Sequence, residues 1–349
     1  MIAETSKPIA MLKDLCKKLL YISGMLGLYH RHRNADHLTV VMFHRILNPE
    51  DPRWSSCDPD YTLATRWFVE SLKFFRRHYS VVSLSDVLAS RRHGTPLPPR
   101  PLLITFDDGW ADNADYALPE LRKAGLPAVL FVVADAVGTR QPFFQERLIA
   151  AWRRHALKVE ELAVALRSHA TGDGQPRDES IGAMREAISQ LEALPEDQRD
   201  RVLAPFMAAL DDGLRHMATI EELQLLEAGG IALGLHGKTH APMRFAADLD
   251  AELSGARTAL AQRLGSAGPA VSMSFPHGSY DDAIAHRAQE AGYELVFTSV
   301  RALNPVPPKV GWLLGRTGIE AEEVVDSRNR FRPDRLALHL FRLPSRRLA

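Results

Sequence analysis

Two groups of side chains in this sequence have types and spacings suited to chemistry. The first is the run Leu103-Ile104-Thr105-Phe106-Asp107-Asp108-Gly109-Trp110. An apolar stretch that ends in two carboxylates and a glycine delivers acidic groups to the C-terminal mouth of a strand, where βα folds place their active sites. Neighbouring strand residues point to opposite faces, so Asp107 and Asp108 share one site only if the chain turns there, and Gly109 permits that turn. The pair serves equally well as a cap for the following helix. The second group is Gly234-Leu235-His236-Gly237-Lys238-Thr239-His240. Imidazoles four apart face the same side if the segment coils helically, a spacing that suits a divalent metal. Two neutral imidazoles and one carboxylate leave a coordination position open, which is the pattern of a catalytic rather than a structural zinc site.

Two further runs end in histidine. In Met273-Ser274-Phe275-Pro276-His277-Gly278-Ser279-Tyr280-Asp281, a proline and a glycine bracket His277. Such a loop presents backbone N–H groups and a ring to a substrate, or forms a tight turn into a helix with Asp281 as its N-cap. Val41-Met42-Phe43-His44-Arg45 places His44 at the end of the first apolar run, a position without special weight on its own.

The elements that must position these groups alternate. Leu38–Phe43, Leu102–Phe106, Ala128–Val133, Ile231–Leu235, Ala270–Phe275 and Leu295–Thr298 are continuously apolar, as expected of parallel strands covered on both faces. Helical patterns occupy Arg66–His78, Asp115–Ala124, Ile220–Glu227, Leu249–Leu264 and Asp282–Ala291, and Thr219 with Glu222 forms a capping-box signal. The alternation predicts a βα barrel or a doubly wound sheet. A helical stretch at about 143–216, broken by a polar segment at Thr171–Asp178, interrupts it as an insertion, either a lid or decoration. Residues 1–36 form an N-terminal amphipathic segment. Its stripe of Leu12, Leu15, Leu19 and Leu26 packs on the domain or lies on a membrane surface. Residues 321–349 form an arginine-rich tail, either a solvated end or a contact for an acidic surface.

Lys plus Arg equals Asp plus Glu, 43 against 43, so no global charge favours nucleic acid. Cys16 and Cys57 make neither a disulfide framework nor a metal spacing. No stretch approaches the roughly 20 apolar residues of a membrane span, and no signal-peptide cleavage site follows Leu19–Tyr29. The expected location is cytoplasmic or peripheral to the inner face of the membrane.

Taken together, the four runs resemble the polysaccharide deacetylases of carbohydrate esterase family 4, which carry the NodB homology domain, and among them the subgroup acting on bacterial exopolysaccharides. The resemblance covers roughly residues 37–320. It implies a distorted (β/α) barrel of about seven strands and metal-dependent hydrolysis of N-acetylated sugars, with Zn²⁺, Co²⁺ or Ni²⁺ as cofactor and a carbohydrate as partner. It makes Asp107 the general base and His44 the general acid. Asp108, His236 and His240 become the metal ligands, and the His277 backbone N–H, with Gly278 and Tyr280, meets the substrate and its oxyanion. Two departures stand out. Ser274 lies where the family turn is preceded by an arginine, and His277 replaces the usual tyrosine; Arg316, in Gly315-Arg316-Thr317, is the residue placed to orient Asp107 instead. The competing readings are a two-carboxylate glycoside hydrolase, which the paired histidines oppose, and an inactive carbohydrate-binding relative within a biosynthetic complex.

Overall fold

The computed structural model describes residues 6–169, 178–265 and 270–349. Strands β1 (His37–Phe43), β2 (Pro101–Phe106), β3 (Ala128–Val132), β4 (Ile231–Leu235), β5 (Ser272–Ser274) and β6 (Leu295–Phe297) run parallel, each hydrogen-bonded to the next in chain order. β7 (Leu303–Pro305) lies antiparallel against β1, and β8 (Leu313–Leu314) continues the parallel order beside β6. Just beyond β8, Thr317–Gly318 pairs with β1, so residues 313–318 bridge the first and last parallel strands and nearly close the sheet. The result is the distorted (β/α) barrel, with eight strands along its main path rather than about seven. The extra strands are two or three residues long and carry no apolar run that marks them in the sequence.

Every residue of β2 and β3 is buried, as the continuous apolar runs require. Their side chains alternate between two clusters. Leu103, Val129 and Phe131 join Phe297 in one; Leu102, Ile104 and Phe106 pack against the surrounding helices in the other. Asp107 shares the parity of Leu103, which aims it into the barrel at its mouth.

The helices begin with α1 (Ser6–Ile22) and α2 (Met25–Arg33), followed by α3 (Thr65–His78), α4 (Leu84–His93) and α5 (Leu118–Ala124). The insertion holds α6 (Phe144–Arg153), α7 (Val159–His169), α8 (Ile181–Glu192) and α9 (Glu196–Leu203), which bury Leu148, Leu162, Met184, Leu191 and Val202 in a core of their own. Its polar break at 171–177 lies outside the described residues. Beyond it come α10 (Ile220–Ala228), α11 (Ala256–Leu264), α12 (Asp282–Glu290) and α13 (Pro333–Phe341). The expected Thr219–Glu222 capping box opens α10, with both reciprocal hydrogen bonds formed.

The C-terminal end of the chain departs from expectation. Residues 321–349 are not a solvated tail throughout: Leu336, Ala337, Leu340 and Phe341 on α13 are buried in the main core, while 344–347 are exposed. Arg332 donates to both oxygens of Asp14 and of Asp334, so this arginine has intramolecular partners. In the N-terminal stripe Leu26 is buried, but Leu15 and Leu19 face solvent; Leu12 lies outside the residues whose side chains are described.

Candidate active site

Asp107 emerges from β2 at 2% exposure and meets the Arg316 guanidinium in a two-pronged ion pair, Nη1 to Oδ1 and Nη2 to Oδ2, both 2.7 Å. Arg316 sits in the segment that closes the barrel. It donates further to the Thr298 carbonyl at 3.1 Å, and its guanidinium lies 5.5 Å from the Phe131 ring centroid. Planar forks of this kind fix orientation as well as charge. Burial works to raise the Asp107 pKa, but the adjacent Arg316 and His236 outweigh it and hold the carboxyl below its ordinary value. Ser274, at the end of β5, adds a hydroxyl 3.2 Å from Oδ1.

Asp108 turns away from its neighbour because it adopts a left-handed backbone itself, φ 78°, followed by Gly109 at φ 85°. The turn thus begins one residue earlier than the glycine signal. At Gly109 a Cβ would stand 3.2 Å from Val132 Cγ1. Asp108 Oδ1 lies 3.3 Å from Nε2 of both His236 and His240, and its Oδ2 accepts from Trp110 Nε1 at 2.9 Å. Burial opposes its ionisation, yet the neighbouring imidazoles hold its pKa well below the usual carboxylate range.

The segment from His236 to His240 is a loop, not a helical turn. Left-handed residues at Gly237 (φ 75°) and His240 (φ 67°) bring the two rings together, with centroids 5.2 Å apart. Glu252 shapes this loop, accepting from the backbone N–H of Lys238 at 2.7 Å and of Thr239 at 3.1 Å. Burial pushes His236 down to about 4, so its ring is neutral at pH 7. Its Nδ1 lies 3.0 Å from the Ser274 carbonyl oxygen; donating there leaves Nε2 as the free lone pair facing Asp108. One donor atom each from Asp108, His236 and His240 falls within 4.8 Å of the others, the gathering a metal ion needs.

The remaining expected residues separate. His44, His277 and Gly278 line the same cavity as Asp107, Asp108, His236 and His240, a space of about 410 Å³. The His44 ring packs edge-on against Tyr61, centroids 4.8 Å apart. His277 is left-handed at φ 55°, and its ring stands 4.4 Å from that of His240. Tyr280 does not reach the cavity wall: its ring stacks on Phe275 at 4.9 Å, and Asp281 beyond it caps α12 through a 2.9 Å bond from the Ile284 N–H. The sequence reading missed Ser274, Trp110 and Glu252 as supports, and it left the insertion as a lid or decoration without naming the residues it brings. Phe143 stacks on His240 at 4.0 Å, and Gln145, Glu146, Arg185 and Glu192 line the cavity.

With this geometry in place, comparison with known proteins is direct. A model of the polysaccharide deacetylase family matches residues 94–193 and 201–296, more than half of the chain. YxkH of Bacillus subtilis (strain 168), named for the same family, is 34% identical over 59 residues, 17% of this chain and 21% of that protein. The chain therefore matches about a fifth of that relative's length. Among solved structures, the Streptococcus pyogenes deacetylase PplD in complex with acetate is similar at a TM-score of 0.54 and 14% identity, over 88% of this chain and 99% of that one. IcaB from Ammonifex degensii is similar at 0.52 and 18% identity, over 88% and 98%. At such identities these two likenesses concern the fold. The chain belongs to the polysaccharide deacetylase family, hydrolases that act on amide bonds.

Proposed function

We propose that this protein hydrolyses the acetamide group of N-acetylated hexosamines in a bacterial polysaccharide or oligosaccharide, releasing acetate and a free amine. The observation that carries the reading is the convergence of Asp108, His236 and His240 on one point beside an Asp107 gripped by Arg316. Asp108, His236 and His240 would hold a divalent cation. Two imidazoles and one carboxylate suit Zn²⁺, with Co²⁺ or Ni²⁺ as substitutes. Such an ion supplies Lewis acidity to a water molecule and to the acetamide carbonyl.

The chain's own residues do the rest. Asp107, kept ionised by Arg316, takes the proton of the attacking water as general base. The backbone N–H of His277, in the turn that Gly278 completes, donates to the oxyanion. An amine leaves poorly until protonated, and His44 on the cavity wall supplies that proton as general acid. Acetate release from N-acetylglucosamine oligomers tests the reading. Wild type releases acetate, and a protein that releases none under any divalent metal refutes it.

The same proposal extends to location. Among the described residues no helix is long and apolar enough to cross a membrane. Exposed Leu15, Leu19, Ile22, Met25 and Leu28 on α1 and α2, with Lys17 and Lys18 beside them, suit a protein lying on an anionic membrane surface from the cytoplasmic side.

A further inference from the structure

The cavity has two walls of different origin. The barrel supplies Asp107, Asp108, His236, His240, His44 and His277, the groups with reactive chemistry. The insertion supplies Gln145, Glu146, Ile149, Arg185, Ile188 and Glu192 from α6 and α8. Their carboxylates are not part of the cluster of donor atoms around Asp108.

One group on the insertion wall is out of balance. Glu146 lines the cavity, and its Oε2 is buried with no side-chain or backbone hydrogen-bond partner in the protein. A buried polar atom left in that state is destabilising, so a fold that keeps one beside a cavity requires an explanation. Looseness does not provide it. The wall is pinned to the barrel side by Arg185, which reaches both oxygens of Asp58 at 2.8 Å and Asp60 at 2.6 Å. Arg153 donates to the carbonyls of Trp54, at 2.8 Å, and Cys57. Phe143 is stacked on His240. Gln145, next to Glu146, donates to Glu192 Oε1 at 3.0 Å while its own Oε1 is also buried without a partner. The insertion therefore sets two fixed side chains, each with one unpartnered oxygen, in the wall of the cavity that holds the reactive groups.

We propose that Glu146 recognises the substrate, holding a ring hydroxyl of the hexosamine through its unpartnered carboxyl oxygen, so that the insertion chooses the sugar on which the barrel acts. This rests on the deacetylase reading for the position of the acetamide, and adds the group that orients the ring. A hydroxyl both donates and accepts, and it suits a carboxyl in either protonation state. Burial, with Asp58 and Asp108 nearby, pushes Glu146 up to about 8. A second cavity of about 380 Å³ shares Gln145, Glu192 and His240 with the first, giving room for a chain of more than one sugar.

The test uses tri-N-acetylglucosamine binding to zinc-loaded wild type, Glu146→Gln and Glu146→Ala by calorimetry, with acetate release and Tm measured on the same samples. Glu146→Gln, still able to donate and accept, binds within about threefold of wild type. Glu146→Ala binds about tenfold more weakly, the loss of one hydrogen bond, with the kinetic loss falling on KM. Its Tm does not fall, because losing the carboxyl's contact with the Asp58 backbone is offset by removing a buried oxygen without a partner. Equal binding by wild type and Glu146→Ala overturns the proposal, as does a Glu146→Gln variant as weak as the alanine one. A lowered Tm in Glu146→Ala overturns it too, by assigning the residue to the fold. A wild type that binds the trisaccharide but releases no acetate refutes the hydrolytic reading alone, whereas one that releases acetate with KM unchanged in Glu146→Ala refutes the Glu146 assignment alone.

Discussion

Two adjacent aspartates have different surroundings because the backbone separates them. Asp107 continues the strand and meets Arg316, whereas Asp108 flips into a left-handed conformation and meets two histidines and Trp110. Asp107→Asn should therefore keep the metal and lose acetate release by about 10²–10⁴-fold, the usual worth of a general base; metal analysis and a rate assay on the same sample check this. The pH profile adds a sign. As the proposed base, Asp107 would act when ionised, and Arg316 holds its pKa down, so Arg316→Ala should raise that pKa and move the acid limb of kcat/KM to higher pH. An unmoved limb assigns it to another group. Asp107, Asp108, His236 and His240 were legible because each pair lies within one short run after a buried strand. Ser274 and Arg316 were harder to see, since they meet Asp107 across 167 and 209 residues of chain, and only the closing of the barrel brings them there.

At the scale of elements, the site is a set of strand ends and the loops that leave them. The loop after β4 holds both histidines, and it is not the helical turn that their spacing of four led one to expect. Its shape depends on Gly237, where a Cβ would meet Glu252 Oε2 at 2.9 Å, and on Glu252 itself. Glu252→Ala should weaken metal affinity about 10–100-fold, as losses of supporting hydrogen bonds around ligands do; a competition titration against a chelator measures it. Gly278 plays the matching part after β5: at φ 62°, a Cβ there would stand 2.8 Å from Ser299 Oγ. Gly278→Ala should lower stability by about 1–3 kcal/mol in a urea titration. The long apolar strands were readable from composition alone. The short ones, and α4, were not: Ser83 and Asp86 form a capping box that was a readable signal left unread.

For the whole molecule, the barrel and the insertion have separate cores, and the cavity lies where they meet. The α1–α2 end presents Leu15, Leu19, Ile22, Met25 and Leu28 to solvent, with Lys17 and Lys18 beside them. Leu19→Asp or Leu28→Asp should reduce cosedimentation with vesicles containing anionic lipid about tenfold or more, at roughly 1.5–3 kcal/mol per leucine, while Tm stays the same because both side chains are exposed. Sequence patterning located this face as one of two readings but could not see that α13 would cover part of the N-terminal helices, since the Asp14–Arg332 contact spans 318 residues.

The measurement that bears most directly on the central claim is metal dependence. Protein stripped with a chelator is given zinc in steps, and acetate release from an N-acetylglucosamine oligomer is followed alongside bound metal for wild type and Asp108→Asn. The account predicts no release from stripped wild type, full recovery at one equivalent of zinc, and neither metal uptake nor recovery in Asp108→Asn. Release that survives stripping, or an Asp108→Asn protein that binds zinc as wild type does, would contradict it.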